Sequence, residues 1–302
     1  MRKILLGAAA LSTTMVLAAC GDDGGAPKVQ SAPASTSTTS SPTSSSSSES
    51  TTSSSSTTSS TTSSSSSTPV EYAVGDCFKG KSWEKVGCTE PHDREITAIV
   101  SNSEYSTDLI KRSALRNYTC LAEAGKYVGG PDYGSLFLGG PLPVANDPKS
   151  NERIVCTVQL QKADDSGIEQ INYSAKDAIK KNGFHKYQLC TSTPPSKDGV
   201  KIAPCDGPHV AESTWGFLDG KFGDPYPGAK AQNLAAHKRC QPFGDRYLGA
   251  KRADVRPVQN SAPESGFKRG IPVIGCFVET ADGSKVTKSM KGLGNKPLSS
   301  VK

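Results

Sequence analysis

"KVGCTEPHDRE" spans residues 85–95 and "KIAPCDGPHVAE" spans residues 201–212. Both contain Cys-x-x-Pro-His-x-x-Glu, written through Cys88, Pro91, His92 and Glu95 and again through Cys205, Pro208, His209 and Glu212. A cysteine and a histidine four apart, with a carboxylate three beyond, fit a metal site, a catalytic dyad or a disulfide-stapled corner. The residues around the two stretches have to decide among these.

The similarity extends outward from both corners. Cys120 and Cys240 each open Cys-x6-Tyr-[Val/Leu]-Gly, ending in Tyr127-Val128-Gly129 and Tyr247-Leu248-Gly249. "IVCTV" around Cys156 matches "IGCFV" around Cys276, and the third and fourth cysteines of each copy are 36 apart. This order of features predicts an internal duplication. Within a copy, Ile96, Ala98 and Val100 alternate as in a half-buried strand, as do Ile154, Cys156, Val158 and Leu160. Ser106-Thr107-Asp108 supplies a helix cap, Ile110, Ala114, Tyr118 and Leu121 share one helical face, and Gly129-Gly130 stops the helix. In the second copy Pro242 directly follows "AKAQNLAAHKRC", which predicts a helix ending near Cys240. The expected fold is α+β: two tandem, small, disulfide-stapled units, each of antiparallel strands with one helix. Units of about 85 residues have thin cores and commonly need staples.

The N-terminus predicts a cellular address. Arg2 and Lys3 precede an apolar stretch too short for a comfortable transmembrane helix. The stretch ends in Leu17-Ala18-Ala19-Cys20, the pattern of a lipoprotein signal whose cysteine takes a diacylglycerol. The expectation is a signal peptide over 1–19 and a lipid anchor on Cys20. That holds the protein to the cell membrane on its extracytoplasmic face. Residues 20–69 read as a disordered tether rich in Ser and Thr, a candidate for O-glycosylation. As a coil it spans roughly 40 Å and stretches to about 165 Å. The remaining divisions are a first unit over 70–180, a second over 181–281 and a basic disordered tail over 282–302. That tail holds Lys285, Lys288, Lys291, Lys296 and Lys302. The net charge of +6 falls to about +4 without Arg2 and Lys3, too weak a basicity to argue for nucleic acid.

Nine cysteines minus the lipidated Cys20 leave Cys77, Cys88, Cys120, Cys156, Cys190, Cys205, Cys240 and Cys276. In an exported chain eight cysteines read as four disulfides. If each copy is self-contained, the simplest pairing is Cys77–Cys88, Cys120–Cys156, Cys190–Cys205 and Cys240–Cys276.

"GDCF" at 75–78, the Cys-x-x-Pro-His corners and the cysteine-bearing final strands resemble the septum formation domain of actinobacterial lipoproteins and membrane proteins. The resemblance runs over Gly75–Leu160 and Tyr187–Thr280, in tandem. It departs from the pattern at Tyr187-Gln-Leu-Cys190, where Gly-Asp-Cys is expected. It implies a link to cell division and no defined chemistry.

Zinc binds thiolate, which an exported, paired cysteine does not offer. Along a strand from Arg94, His92 and Glu95 tend to opposite sides. The corner therefore reads first as structural. Proline sets the turn, the imidazole bonds backbone, and Glu95 and Glu212 point to solvent or a local cation. The second reading makes His92, Glu95, His209 and Glu212 a partner-binding set, and the third a metal site. No hydrolase elbow, phosphate loop, His-Glu-x-x-His or Cys-x-x-Cys is present, and His185 and His237 have no counterpart in the other copy. Trp83, Trp215 and the Gly-Pro-rich stretch from Asp132 read as packing before binding surface. The expectation is a non-enzymatic envelope module without cofactor or metal, binding an envelope protein or wall polymer. The alternative is an envelope hydrolase or metal-dependent enzyme.

Overall fold

A computed structural model describes residues 71–197 and 199–302. The expectations for residues 1–19, Cys20 and the tether lie outside these residues. The described residues form two antiparallel sheets. In the first, β1 (Cys77–Lys79), β2 (Glu84–Val86), β3 (Arg94–Ser101), β4 (Phe137–Pro141) and β5 (Arg153–Gln161) lie in the order β2-β1-β3-β5-β4. A short β6 (Ile168–Glu169) pairs with β5. The second sheet is built from β7 (Cys190–Thr191), β8 (Ile202–Ala203), β9 (Ala211–Leu218), β10 (Val255–Ser261) and β11 (Val273–Thr280). Read from β8, its order is β8-β7-β9-β11-β10, the order of the first sheet. The stretch between the long helix and the strand that carries the last cysteine thus contains, in each half, an edge strand, β4 or β10, paired with that strand.

One long helix packs on each sheet, α1 (Leu109–Val128) and α3 (Ala229–Leu248), with the short α2 (Ala178–Asn182) between them in the chain. Asp108 caps α1 by accepting from the Lys111 amide, and Gly129 ends it at φ 71°, where glycine escapes the Cβ clash. The buried face of α1 overlaps the expected one only at Ala114, with Tyr118 and Leu121 half-buried. Leu115, Cys120, Ala124 and Val128 point inward, whereas Ile110 is 80% exposed. Helix α3 also departs from expectation, since it runs through Pro242 for two further turns. An interior proline costs about 3 kcal/mol in an isolated helix. Here tertiary anchors on both sides offset that cost. Cys240 is bonded to Cys276, and Leu248 beyond the proline is fully buried.

The four disulfides are Cys77–Cys88, Cys120–Cys156, Cys190–Cys205 and Cys240–Cys276. The short loops contribute about 3 kcal/mol each and the long ones about 4 kcal/mol on the chain-entropy account. Covalent bonds therefore stay within each half, but the hydrophobic core does not. Its largest cluster joins Ala124, Val128, Phe137 and Val158 to Tyr187, Leu189, Val258 and Phe277. Backbones also meet without room for a side chain. A Cβ on Gly270 would lie 1.8 Å from the Ala114 carbonyl oxygen, and one on Gly216 would lie 2.0 Å from that of Tyr133. The halves are thus not self-contained, because each thin core is completed against the other. The stretch from Asp132 lies at this joint, and Leu136 and Phe137 within it are core.

The expected disordered tail is folded. Val286, Met290, Leu293 and Val301 are buried against Leu248, Val255 and Val278, so apolar residues spaced among the lysines peg the segment down. Deleting residues 283–302 removes one wall of that core. With about 1.5–3 kcal/mol for each buried apolar side chain, the deletion is expected to cost at least about 4 kcal/mol. Urea denaturation of the disulfide-intact protein measures this. A midpoint unchanged by the deletion would mean that the segment is not part of the fold.

Candidate functional site

The two Cys-Pro-His-Glu corners pair in sequence and also converge in space with the ends of the long helices. Cys120 and Tyr127 are seven residues, about two turns, apart, so both face the sheet. The same holds for Cys240 and Tyr247. The cysteine staples the helix to β5 or β11, and the tyrosine then hangs over the neighbouring strand that carries the glutamate. A third segment completes each corner. His92 exchanges backbone hydrogen bonds of 2.9 Å with Ile171, and His209 exchanges bonds of 2.8 and 2.9 Å with Val286. Both segments then run [Ile/Val]-x-x-Ser-x-Lys, which lays a serine and the following amide over the carboxylate.

Glu95 and Glu212 consequently do not point to solvent, and Glu212 meets a local cation only in His209, when that ring is protonated. They are 1% and 0% exposed. Glu212 accepts the Met290 amide at 2.8 Å, the Ser289 hydroxyl at 3.2 Å and the Tyr247 hydroxyl, and it meets His209 Nε2 at 2.9 Å. A carboxylate offers about four lone-pair sites, and all four are taken. Glu95 accepts from the Tyr127 hydroxyl, from the Ser174 hydroxyl at 2.6 Å and from the Ala175 amide at 2.5 Å. Its fourth seat is open, and His92 Nε2, buried beside it, has no partner among the described residues. Both imidazoles bond backbone as expected, His92 Nδ1 to the Glu90 carbonyl at 2.8 Å and His209 Nδ1 to that of Gly207 at 2.7 Å. Sequence reasoning missed Ser174, Ala175, Ser289 and Met290, and gave the two tyrosines no role. The shared serine spacing after each last strand was the available signal.

The groups around the two glutamates are held in fixed hydrogen-bonding roles. Burial, then the hydrogen bond and charge of Glu95, hold the Tyr127 hydroxyl far above the ordinary phenol range, so it stays a donor. Burial and Glu212 do the same to Tyr247. For His209 burial pulls the pKa down. The bonds to Glu212 and to the Gly207 carbonyl outweigh it, and the net shift is upward. Ligand atoms of Cys77, His92 and Glu95 lie within 4.8 Å of one another. Cys77, however, is a disulfide sulfur and Glu95 already holds three donors. As a donor set for zinc the cluster lacks its thiolate. As a hydrolytic set it is in the wrong order. The carboxylate stands between serine and histidine, so the serine hydroxyl donates to Glu212 rather than to an imidazole base.

A surface that can receive a ligand lies elsewhere, between the halves. A cleft of about 480 Å³ is lined by Tyr105, Ile110 and Lys111 on one side and by Phe222, Tyr226 and Phe267 on the other. Tyr105 lies against Phe222 with ring centroids 6.1 Å apart, and Tyr226 lies edge-on to Phe267 at 5.2 Å. Tyr105 holds φ 56°, unusual for a bulky residue, and Ile110 projects into the cleft instead of the core. The 117–118 pair on α1 ties this wall down, Asn117 donating to the Arg269 carbonyl at 2.8 Å and Tyr118 to that of Gly220 at 2.9 Å. Trp83 and Trp215, singled out by sequence, are not here. Trp83 sits under Arg94, and Trp215 stacks on Phe243 at 5.9 Å.

The upward shift of His209 fixes the sign of a pH effect. A folded-state pKa above the unfolded value of about 6.5 stabilises the protein fully below that pH. The contribution is lost as pH rises through the folded value. Stability is therefore expected to fall with rising pH above about 6.5, at up to about 1.4 kcal/mol per pH unit. His209→Gln flattens this component. Urea midpoints of both proteins across the range measure it, and parallel profiles would remove His209 from the account. Glu212→Gln gives a separate check. It exchanges an acceptor for an amide beside the Met290 N–H and is expected to cost about 3–5 kcal/mol, as breaking a buried charged network does.

Residues 143–270 match the family model described as septum formation. The matched range holds His209, Glu212 and Tyr247 and the Phe222–Phe267 wall of the cleft. It begins after β4 and ends before Cys276, so it coincides with neither half. No curated protein and no solved structure matches the chain. Residues 143–270 are thus similar to the septum formation family.

Proposed function

We propose that this protein is a non-enzymatic binding module of the cell envelope, held by lipid on Cys20 at the extracytoplasmic face of the membrane. Its two halves are tandem copies fused into one rigid body, and its ligand seats in the aromatic cleft between them. The septum formation match points to a cell-division-related envelope protein. Four disulfides support an oxidising compartment outside the cytosol. No helix among the described residues is long and apolar enough to cross a membrane, so the reading puts attachment on Cys20.

The observation that carries the binding role is the cleft. Pockets of 300–1,000 Å³ lined by aromatic side chains with a few polar groups, at the junction of two packed units, are where proteins take ligands. Its aromatic rings offer flat apolar faces. Lys111 and the Glu264–Lys268 pair, bonded at 2.9 Å, offer polar partners at the edge. The His-Glu centres serve this reading as scaffold. They fix both helices and both return segments, and so the cleft walls.

Two measurements test it. Full-length Cys20→Ser protein is expected to leave the membrane fraction for the soluble one, and membrane retention after a high-salt wash would contradict lipid anchoring. Immobilised Cys20→Ser protein is expected to retain an envelope component that the Phe222→Ala/Phe267→Ala variant loses, at unchanged melting temperature. Equal retention by both proteins would move the binding site away from the cleft.

A further inference from the structure

The folded tail divides the molecule electrically. Residues 71–186 hold fifteen Lys and Arg against sixteen Asp and Glu, whereas residues 187–302 hold seventeen against ten. The excess is concentrated at the C-terminus, where Lys285, Lys288, Lys291, Lys296 and Lys302 have no acidic side chain among them. All five are exposed. Among the described residues none of the five takes part in an ion pair, unlike Lys85, Lys126 and Lys268.

These charges are fixed in place. Val286, Met290, Leu293 and Val301 point inward while the lysines between them face water. The amides of Thr287 and Lys288 both donate to the Val301 carbonyl, at 2.9 and 3.0 Å, which sets Lys288 beside Lys302. Arg252 donates to the carbonyls of Gly294 and Lys296, at 2.5 and 2.7 Å, and closes the loop that carries Lys291 and Lys296. A disordered basic end would lose chain entropy on meeting a partner. This cap has already been ordered by its apolar pegs.

We propose that the C-terminal cap is a docking surface for an anionic lipid bilayer, which turns the second half toward the membrane and leaves the first half outward. Three features favour a diffuse, flat partner over a discrete anion. The five cations are all lysines, mobile point charges without the planar fork that arginine brings to a single phosphate. None of them lines the aromatic cleft between the halves. The cap also presents no large exposed apolar side chain for insertion. Lysines near an anionic leaflet each add a small, screened attraction, and only several together hold a protein there.

The test is sedimentation of the full chain carrying Cys20→Ser, so that no lipid contributes, with two kinds of vesicle. One is phosphatidylcholine alone and the other contains phosphatidylglycerol at about one third, enough for a strongly negative surface. Protein is expected to pellet with the anionic vesicles only, and to be released by about 0.5 M salt, where the Debye length is a few ångströms. Lys288→Glu/Lys291→Glu/Lys302→Glu is expected to lower the partition coefficient at least about tenfold at unchanged melting temperature. Lys79→Glu/Lys81→Glu/Lys149→Glu, on the first half, is expected to leave it within about twofold. Equal pelleting with neutral vesicles, equal losses from both triple variants, or no pelleting at all would overturn the proposal. So would binding to soluble poly(glycerol phosphate) without binding to vesicles, which would reassign the cap to a wall polymer.

Discussion

A carboxylate removed from water must find its donors inside the protein. Each half buries one, Glu95 or Glu212, that no arginine or lysine pairs among the described residues, besides Asp147 and Glu279, which bind arginines. Burying an ionised group without partners is prohibitive, so Glu95 and Glu212 can exist where they are only if several distant segments arrive together. The helix must be stapled so that its tyrosine lies over the sheet. The turn must bring the histidine ring to its backbone carbonyl. The segment after the last strand must return far enough to place a serine and an amide over the glutamate. Each requirement recruits a different part of the sequence. Together they explain why a Cys-x-x-Pro-His-x-x-Glu corner, a Cys-x6-Tyr spacing and a Ser-x-Lys return occur in one order, twice.

The same constraint gives the molecule its outer features. Because the return segments are structural, the C-terminal one cannot be a loose tail, and its lysines become a fixed face. Because each sheet carries only one long helix, the halves finish their cores against one another, with glycines 216 and 270 at the points of closest approach. The helix surface left over at that joint carries Ile110 outward into an aromatic cleft. A scaffold held by buried charge thus leaves a cleft at its seam and a basic face at one end.

Much of this was legible in the sequence, for physical reasons that differ by feature. Strands β3 and β5 carry period-two apolar patterns, and the disulfides follow from the even spacing of eight cysteines once each half keeps its own. The Asp108 cap and the Gly129 stop are local chemistry and were equally readable. What failed was whatever depended on contacts between distant segments. Ile110 looks like core on a helical wheel, but the helix buries the face that carries Cys120. Pro242 looks like a terminus, yet tertiary anchors on both sides carry the helix through it. Lysine density in the last residues hid four apolar pegs that have meaning only against Leu248, Val255 and Val278. The glutamates looked like surface residues because, His209 aside, their partners lie 32–80 positions away.

Hydrogen exchange at two amides tests the central claim most directly. The Ala175 and Met290 N–H groups donate to the buried glutamates from segments outside the regular sheets. A loop amide ordinarily exchanges through local fluctuation, far faster than the core. If the carboxylates hold the fold closed, both amides exchange as slowly as those of β5 and β11, through global opening alone. They then become fast in Glu95→Ala and Glu212→Ala respectively, each change confined to its own half. Rapid exchange of Ala175 and Met290 in the unaltered protein, with the strands still protected, would contradict the account.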